Sequence, residues 1–176
     1  MAMKYVYIEK FTLVPQELYT PELGREALVQ QFQLDPDAPV ECCNSCNCAA
    51  VVVYSPENVQ KSQAAESIAV PFVVGMMDIA REAGEYNKVA FHYNKERGYA
   101  HIVIYTGDEL KLANSFKVDS FESALYFLFL SIKGLQMNPQ QCVINICWNI
   151  PDAQKETVAK FFKGTHVVDL EKDLIK

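Results

Sequence analysis

An α/β fold is predicted for this 176-residue chain, and three observations predict it. From about residue 88 the chain reads as three consecutive strands, a helix, a strand, a second helix and a last strand. The strand segments are rich in Val, Ile, Phe and Tyr, which suit a pleated, half-buried surface. The two helices between them stop at glycines, Gly134 and Gly164, where a left-handed or open backbone ends a helix at low cost.

Taken in order, Tyr5 to Ile8 and Phe11 to Val14 read as β-rich segments, stopped by Pro15, which cannot donate to a ladder. Thr20 followed by Pro21 is an N-cap with proline at the first helical position, and Leu23, Ala27, Leu28 and Phe32 then share one helical face. The run Asp35-Pro36-Asp37-Ala38-Pro39 is a loop, followed by a cysteine-rich loop and a buried-type strand, Ala50 to Tyr54. A helix is predicted over about 71–83, with Phe72, Val73, Met76, Ile79 and Ala80 on its apolar side.

In the second half, Lys88 to Asn94 and Tyr99 to Thr106 are strands joined by the turn Lys95-Glu96-Arg97-Gly98, and Gly107-Asp108 turns the chain into a third strand, Leu110 to Phe116. Asp119 and Glu122 form a capping box for a helix over 120–133. Cys142 to Trp148 is a strand, Pro151 opens a helix carrying Val158, Phe161 and Phe162, and His166 to Leu170 is the last strand before a charged, mobile tail. The order β-β-β-α-β-α-β over residues 87–176 is that of ribonuclease-H-like and actin-like units. Residues 1–86 are expected to form a partial N-terminal unit of mixed strands and helices packing on it. Because Ala124 to Leu130 are apolar around the whole helix, that segment is expected to cover its outer side.

Half of the residues are hydrophobic and 22% are charged, the make-up of a folded globular chain. No apolar run approaches the ~18 residues of a membrane helix, and the first residues carry no signal-peptide pattern, so a cytoplasmic location is the default. Residues 1–86 hold 5 Lys/Arg against 12 Asp/Glu, a net of −7, and residues 87–176 hold 11 against 10, a net of +1. With no basic stripe and an acidic first half, nucleic acid and anionic membranes are disfavoured as partners.

The segments Phe11-Thr12-Leu13-Val14-Pro15 with Glu17-Leu18-Tyr19, and Leu110 to Phe116 ahead of an aromatic-rich helix, resemble a domain-of-unknown-function family found mainly in Bacteroidetes. That family is described as having an actin-like ATPase fold, and the resemblance follows the order of elements over nearly the whole chain. Members are longer at the N-terminus, so this chain resembles a short or N-terminally truncated member. The resemblance implies an actin-like fold and carries no established activity.

Chemistry is harder to find. An actin-like ATPase holds Mg-nucleotide between two units, each offering an Asp-x-Gly hairpin whose backbone amides cradle phosphate while carboxylates organise the metal. The corresponding hairpin here, Tyr93 to Tyr99, has Asn94 where the Asp is needed, and Gly98 lies at the wrong spacing. The later loop, Trp148-Asn149-Ile150-Pro151-Asp152, contains a proline with no amide hydrogen. Two-metal nuclease chemistry needs clustered carboxylates, yet the strands at 88–94 and 99–106 contain none. No catalytic set is assigned.

The cysteines are the sharpest local feature. Cys42, Cys43, Cys46 and Cys48 place four thiols in seven residues, with a C-x-x-C spacing from Cys43 to Cys46. That spacing suits zinc or a redox pair, but a structural zinc site takes a second such knuckle, and a redox motif of this kind sits at a helix start. Reduced thiols in a loop are the simpler expectation. His92 and His101 lie opposite one another if the 95–98 turn closes the hairpin, on a face shared with Asn94 and Tyr99. Lacking a third metal ligand, they are expected to be a half-exposed pair. Tyr99 and Tyr105 are candidates for a partner-facing surface.

The expected function is therefore non-catalytic: a degenerate actin-like domain that scaffolds or binds a protein partner. No cofactor is predicted. ATP with Mg enters only in the alternative, a nucleotide-binding ATPase completed by a second unit or subunit. The second alternative is a metal or redox module built on the cysteines.

Overall fold

The computed structural model describes residues 4–44, 48–56 and 69–175. The chain divides into two compact units, residues 1–75 with 173–176, and residues 76–172. Among the described residues, no helix is long and apolar enough to cross a membrane.

The first unit is built on a small antiparallel sheet in the order β2-β4-β3, formed by β2 (Phe11–Pro15), β3 (Glu41–Cys43) and β4 (Ala50–Tyr54). Helix α1 (Pro21–Phe32) opens as its sequence predicts, with the Thr20 hydroxyl accepting from Leu23 N at 3.2 Å and Pro21 in the first turn. Leu28, Val14, Leu34, Val51 and Val53 close this unit's apolar cluster. Arg25 ties down the loop after the helix, its guanidinium donating to the carbonyls of Pro36 (3.0 Å) and Ala38 (2.9 Å). A separate parallel pair joins β1 (Lys4–Val6) to β5 (Ala69–Pro71), and Ile175 N donates to Tyr5 O at 2.8 Å.

Helix α2 (Phe72–Glu82) leads into the second unit, where the described residues form one mixed sheet ordered β10-β9-β6-β7-β8. Its strands are β6 (Asn87–Asn94), β7 (Tyr99–Thr106), β8 (Glu109–Lys117), β9 (Cys142–Ile146) and β10 (Gly164–Val167). The first three run antiparallel as consecutive neighbours, and β9 and β10 add in parallel on the other side of β6. Helix α3 (Phe121–Gly134) connects β8 to β9, and α4 (Asp152–Ala159) connects β9 to β10. This is the β-β-β-α-β-α-β unit of the sequence reading.

One face of the sheet carries Val89, Phe91, Ile102, Ile104, Ile144 and Ile146, all fully buried, against Ala124, Leu128 and Ile132 of α3 and Val158 of α4. Fully burying side chains of this size contributes about 1.5–3 kcal/mol each, so this layer is the main source of the unit's stability. The alternation that predicted β6 and β7 is the same alternation that fills this layer.

Several expectations are corrected. The N-cap of α3 is Ser120, whose hydroxyl accepts from Ser123 N at 3.1 Å, and Asp119 receives the Ser123 hydroxyl, so the box runs through serines rather than Asp119 with Glu122. Strand β10 starts at Gly164, because Lys163 N already donates to Cys142 O at 3.0 Å and opens the ladder there. Cys42 and Cys43 lie in an edge strand and not in a loop, held by pairing with Val53 and Val52. On α3, Tyr126 is 62% exposed and Leu130 47%.

Candidate functional site

The two turns at which an actin-like unit would meet phosphate sit at the ends of β6 and β9. In the first, Gly98 adopts φ +67°, a left-handed backbone that glycine takes without steric cost. Two amides of this turn are engaged within it. Arg97 N donates to Asn94 Oδ1 at 3.0 Å, and Gly98 N donates to Asn94 O at 3.0 Å. The Gly98 carbonyl in turn accepts from Val118 N at 2.9 Å. Asn94 thus does the opposite of what an Asp at a phosphate site does: its side chain occupies an amide instead of organising a metal. In the second turn, Ile150 N donates back to Trp148 O at 2.9 Å, and Pro151 has no amide hydrogen to offer.

The same unit holds a buried polar cluster. The hairpin register pairs His92 with His101, as the 95–98 turn predicts, with ring centroids 6.0 Å apart. Neither imidazole is half-exposed: both are 0% exposed. Two partners of His92 lie far away in sequence. Glu171, 79 residues on, brings its Oε1 to 2.9 Å from His92 Nε2, and Trp148 stacks edge-on at 5.8 Å from the His92 ring. A carboxylate only accepts, so the neutral imidazole carries its proton on Nε2 and donates it to Glu171. Burial lowers the pKa of His92, and the hydrogen bond and charge of Glu171 oppose that shift without cancelling it. The residues after 170, expected as a mobile tail, therefore include the anchor of the buried histidine. Nothing in the spacing of Glu171 marks it for that role.

A metal reading of this cluster finds no support in geometry, because no group of three His, Cys, Asp or Glu among the described residues is placed to hold an ion. The cluster can hold one proton and one hydrogen-bonded charge; it positions a segment of chain.

The cysteines divide. Cys42 is exposed and its neighbour Cys43 half-buried, on alternate sides of β3, so two successive thiols of the motif point apart. The Tyr19 hydroxyl donates to the Cys42 sulfur, and that hydrogen bond, with burial, raises the pKa of the hydroxyl. Cys48 sits half-buried near the Ala50 carbonyl, and Cys46 lies outside the described residues. Cys142 and Cys147 are fully buried and have different partners, Asn138 O and Asn145 O. Burial pushes the Cys147 thiol up to about 12, which removes it from thiolate chemistry. Of the two tyrosines read as partner-facing, Tyr105 is buried at 1% exposure.

These features define a class before they define a family: an α/β protein with an actin-like fold whose turns after β6 and β9 are closed by their own hydrogen bonds. The fold is shared with a crystal structure from Bacteroides thetaiotaomicron VPI-5482, a protein with actin-like ATPase fold and unknown function. The two are 18% identical, with a TM-score of 0.76 covering 97% of this chain and 68% of that one. The family model described as "Protein of unknown function (DUF3822)" matches residues 5–163, and the chain belongs to that family. No curated protein matches the chain.

Proposed function

We propose that this chain is a non-catalytic actin-like domain that works as a scaffold or protein-interaction module. The observation that carries this reading is the state of the β6–β7 turn. Its Arg97 and Gly98 amides are held by Asn94, and no carboxylate stands at the position where metal and phosphate would need one. A nucleotide would have to break those bonds to be cradled there, and would gain no metal-organising group in return. The acidic balance of the chain, −6 in total, favours protein over nucleic acid as the partner class.

The reading is tested by thermal melting of the purified chain with and without saturating Mg-ATP. A ligand at about 100 times its dissociation constant stabilises a fold by about 2.7 kcal/mol, which for a chain of this size moves the midpoint by roughly 5–10 °C. No shift is expected. A rise of that size would replace the scaffold reading with that of a nucleotide-binding ATPase.

A further inference from the structure

The outward side of α3 is built as a self-complementary stripe. At about 100° per residue, Glu122, Tyr126, Phe129, Leu130 and Lys133 fall within one sector of about 100° on the side opposite Ala124, Leu128 and Ile132. Glu122 and Lys133 stand at its two ends and are both exposed, and the residues between them are apolar. Tyr126 and Leu130 are exposed, and Phe129 continues the stripe onto Phe161, itself 45% exposed, with ring centroids 5.0 Å apart. An amphipathic helix normally places charges along this side. Here the charges are confined to the ends and carry opposite signs.

We infer that this face is an isologous interface, in which α3 packs antiparallel on α3 of a second copy of this chain. Antiparallel docking sets Glu122 of each copy against Lys133 of the other, and places Tyr126 against Phe129 and Leu130. The contact closes on itself about a two-fold axis, as the commonest soluble oligomers do. It also sets the two helix macrodipoles antiparallel, the positive end of each beside the negative end of the other, and both ion pairs reinforce that arrangement. A parallel arrangement would instead oppose Glu122 to Glu122 and Lys133 to Lys133, so the charges select the antiparallel mode. Tyrosine and phenylalanine in the middle with charges at the rim is the anatomy of a protein–protein interface. The inference deepens the interaction reading by naming the occupant of one face, and rests on that reading only in taking the partner to be a protein.

The test is sedimentation equilibrium of the full chain over roughly 1 to 500 µM, a range that covers the dissociation constants of modest dimers. Wild type is expected to show a monomer–dimer equilibrium. Glu122→Lys and Lys133→Glu should each weaken it by about tenfold or more, since each sets two like charges face to face. An equimolar mixture of those two variants should regain dimers, because every facing pair is opposite again, and the double variant should dimerise by itself. Leu130→Gln, which leaves the charges in place, should weaken association as well. Both charged sites are on the surface, and unchanged circular dichroism checks that each variant is folded. A chain that stays monomeric throughout, or dimers indifferent to the swaps or unrescued by mixing, overturns the inference. That failure is separate from failure of the non-catalytic reading, which nucleotide-dependent melting decides.

Discussion

Replacing His92 by Gln tests the buried His92–Glu171 contact quantitatively. In the native chain the imidazole is 0% exposed, and burial holds its pKa below the ordinary value of 6.5. Glu171, whose side chain is 35% exposed, offsets part of that shift through a hydrogen bond and its charge. A folded pKa below the unfolded one means that the unfolded chain takes up the proton first. Stability is therefore fully present above about pH 6.5 and falls as pH drops from there towards the folded value. Within that window the loss approaches about 1.4 kcal/mol per pH unit, the worth of one proton. Gln at position 92 keeps an N–H donor for Glu171 but does not titrate. Urea unfolding of both proteins at pH 5, 6, 7 and 8 gives the difference directly, because every other titrating group is common to the two. Wild type should lose stability relative to His92→Gln as pH falls below 6.5, with a limiting slope of about 1.4 kcal/mol per unit. Parallel stability curves for the two proteins between pH 5 and 7 would refute the assignment of a buried neutral imidazole.

Three further outcomes follow from packing and chemistry. Leu128→Ala, which empties a fully buried site between α3 and the sheet, should cost about 2–5 kcal/mol in urea unfolding; a cost under ~1 kcal/mol would show that α3 is not docked there. Ser120→Ala should cost about 1 kcal/mol by removing the N-cap of α3, whereas Asp119→Ala should cost less, a ranking opposite to that of an Asp119–Glu122 box. A thiol reagent applied to native protein at pH 8 should label exposed Cys42 early and leave Cys142 and Cys147 unlabelled until the chain is unfolded. Mass-spectrometric mapping reads this out, and early labelling of Cys147 would contradict its burial.

How much of this was legible beforehand depends on the range of the interactions involved. Strands β6 and β7 were readable because their apolar residues alternate and the turn between them is only four residues long, so register followed from local spacing. Helix α1 was readable from Thr20-Pro21 alone, since capping is a contact over three residues. Strand β3 was not, because Glu41-Cys42-Cys43 has no apolar alternation and becomes a strand only by lying against β4. The burial of His92 was illegible for the same reason on a larger scale. Its register was visible in the hairpin, but what buries it is Trp148 beyond β9 and Glu171 beyond β10, and no periodicity links those positions. For the outer side of α3, an all-apolar helix signals that something covers it without saying whether the cover lies in the same chain. The closed β6–β7 turn was half visible: Asn94 could be read off the sequence, while the capture of the Arg97 and Gly98 amides needed the fold.

The most direct measurement of the non-catalytic reading follows those two amides. In a two-dimensional amide NMR spectrum of the labelled chain, the Arg97 and Gly98 resonances should hold their positions as Mg-ATP is added to millimolar excess, because both protons are already bonded to Asn94. Saturable movement of these two signals, together with neighbours in the β6–β7 turn, would show that the turn opens to cradle phosphate and would contradict the proposal.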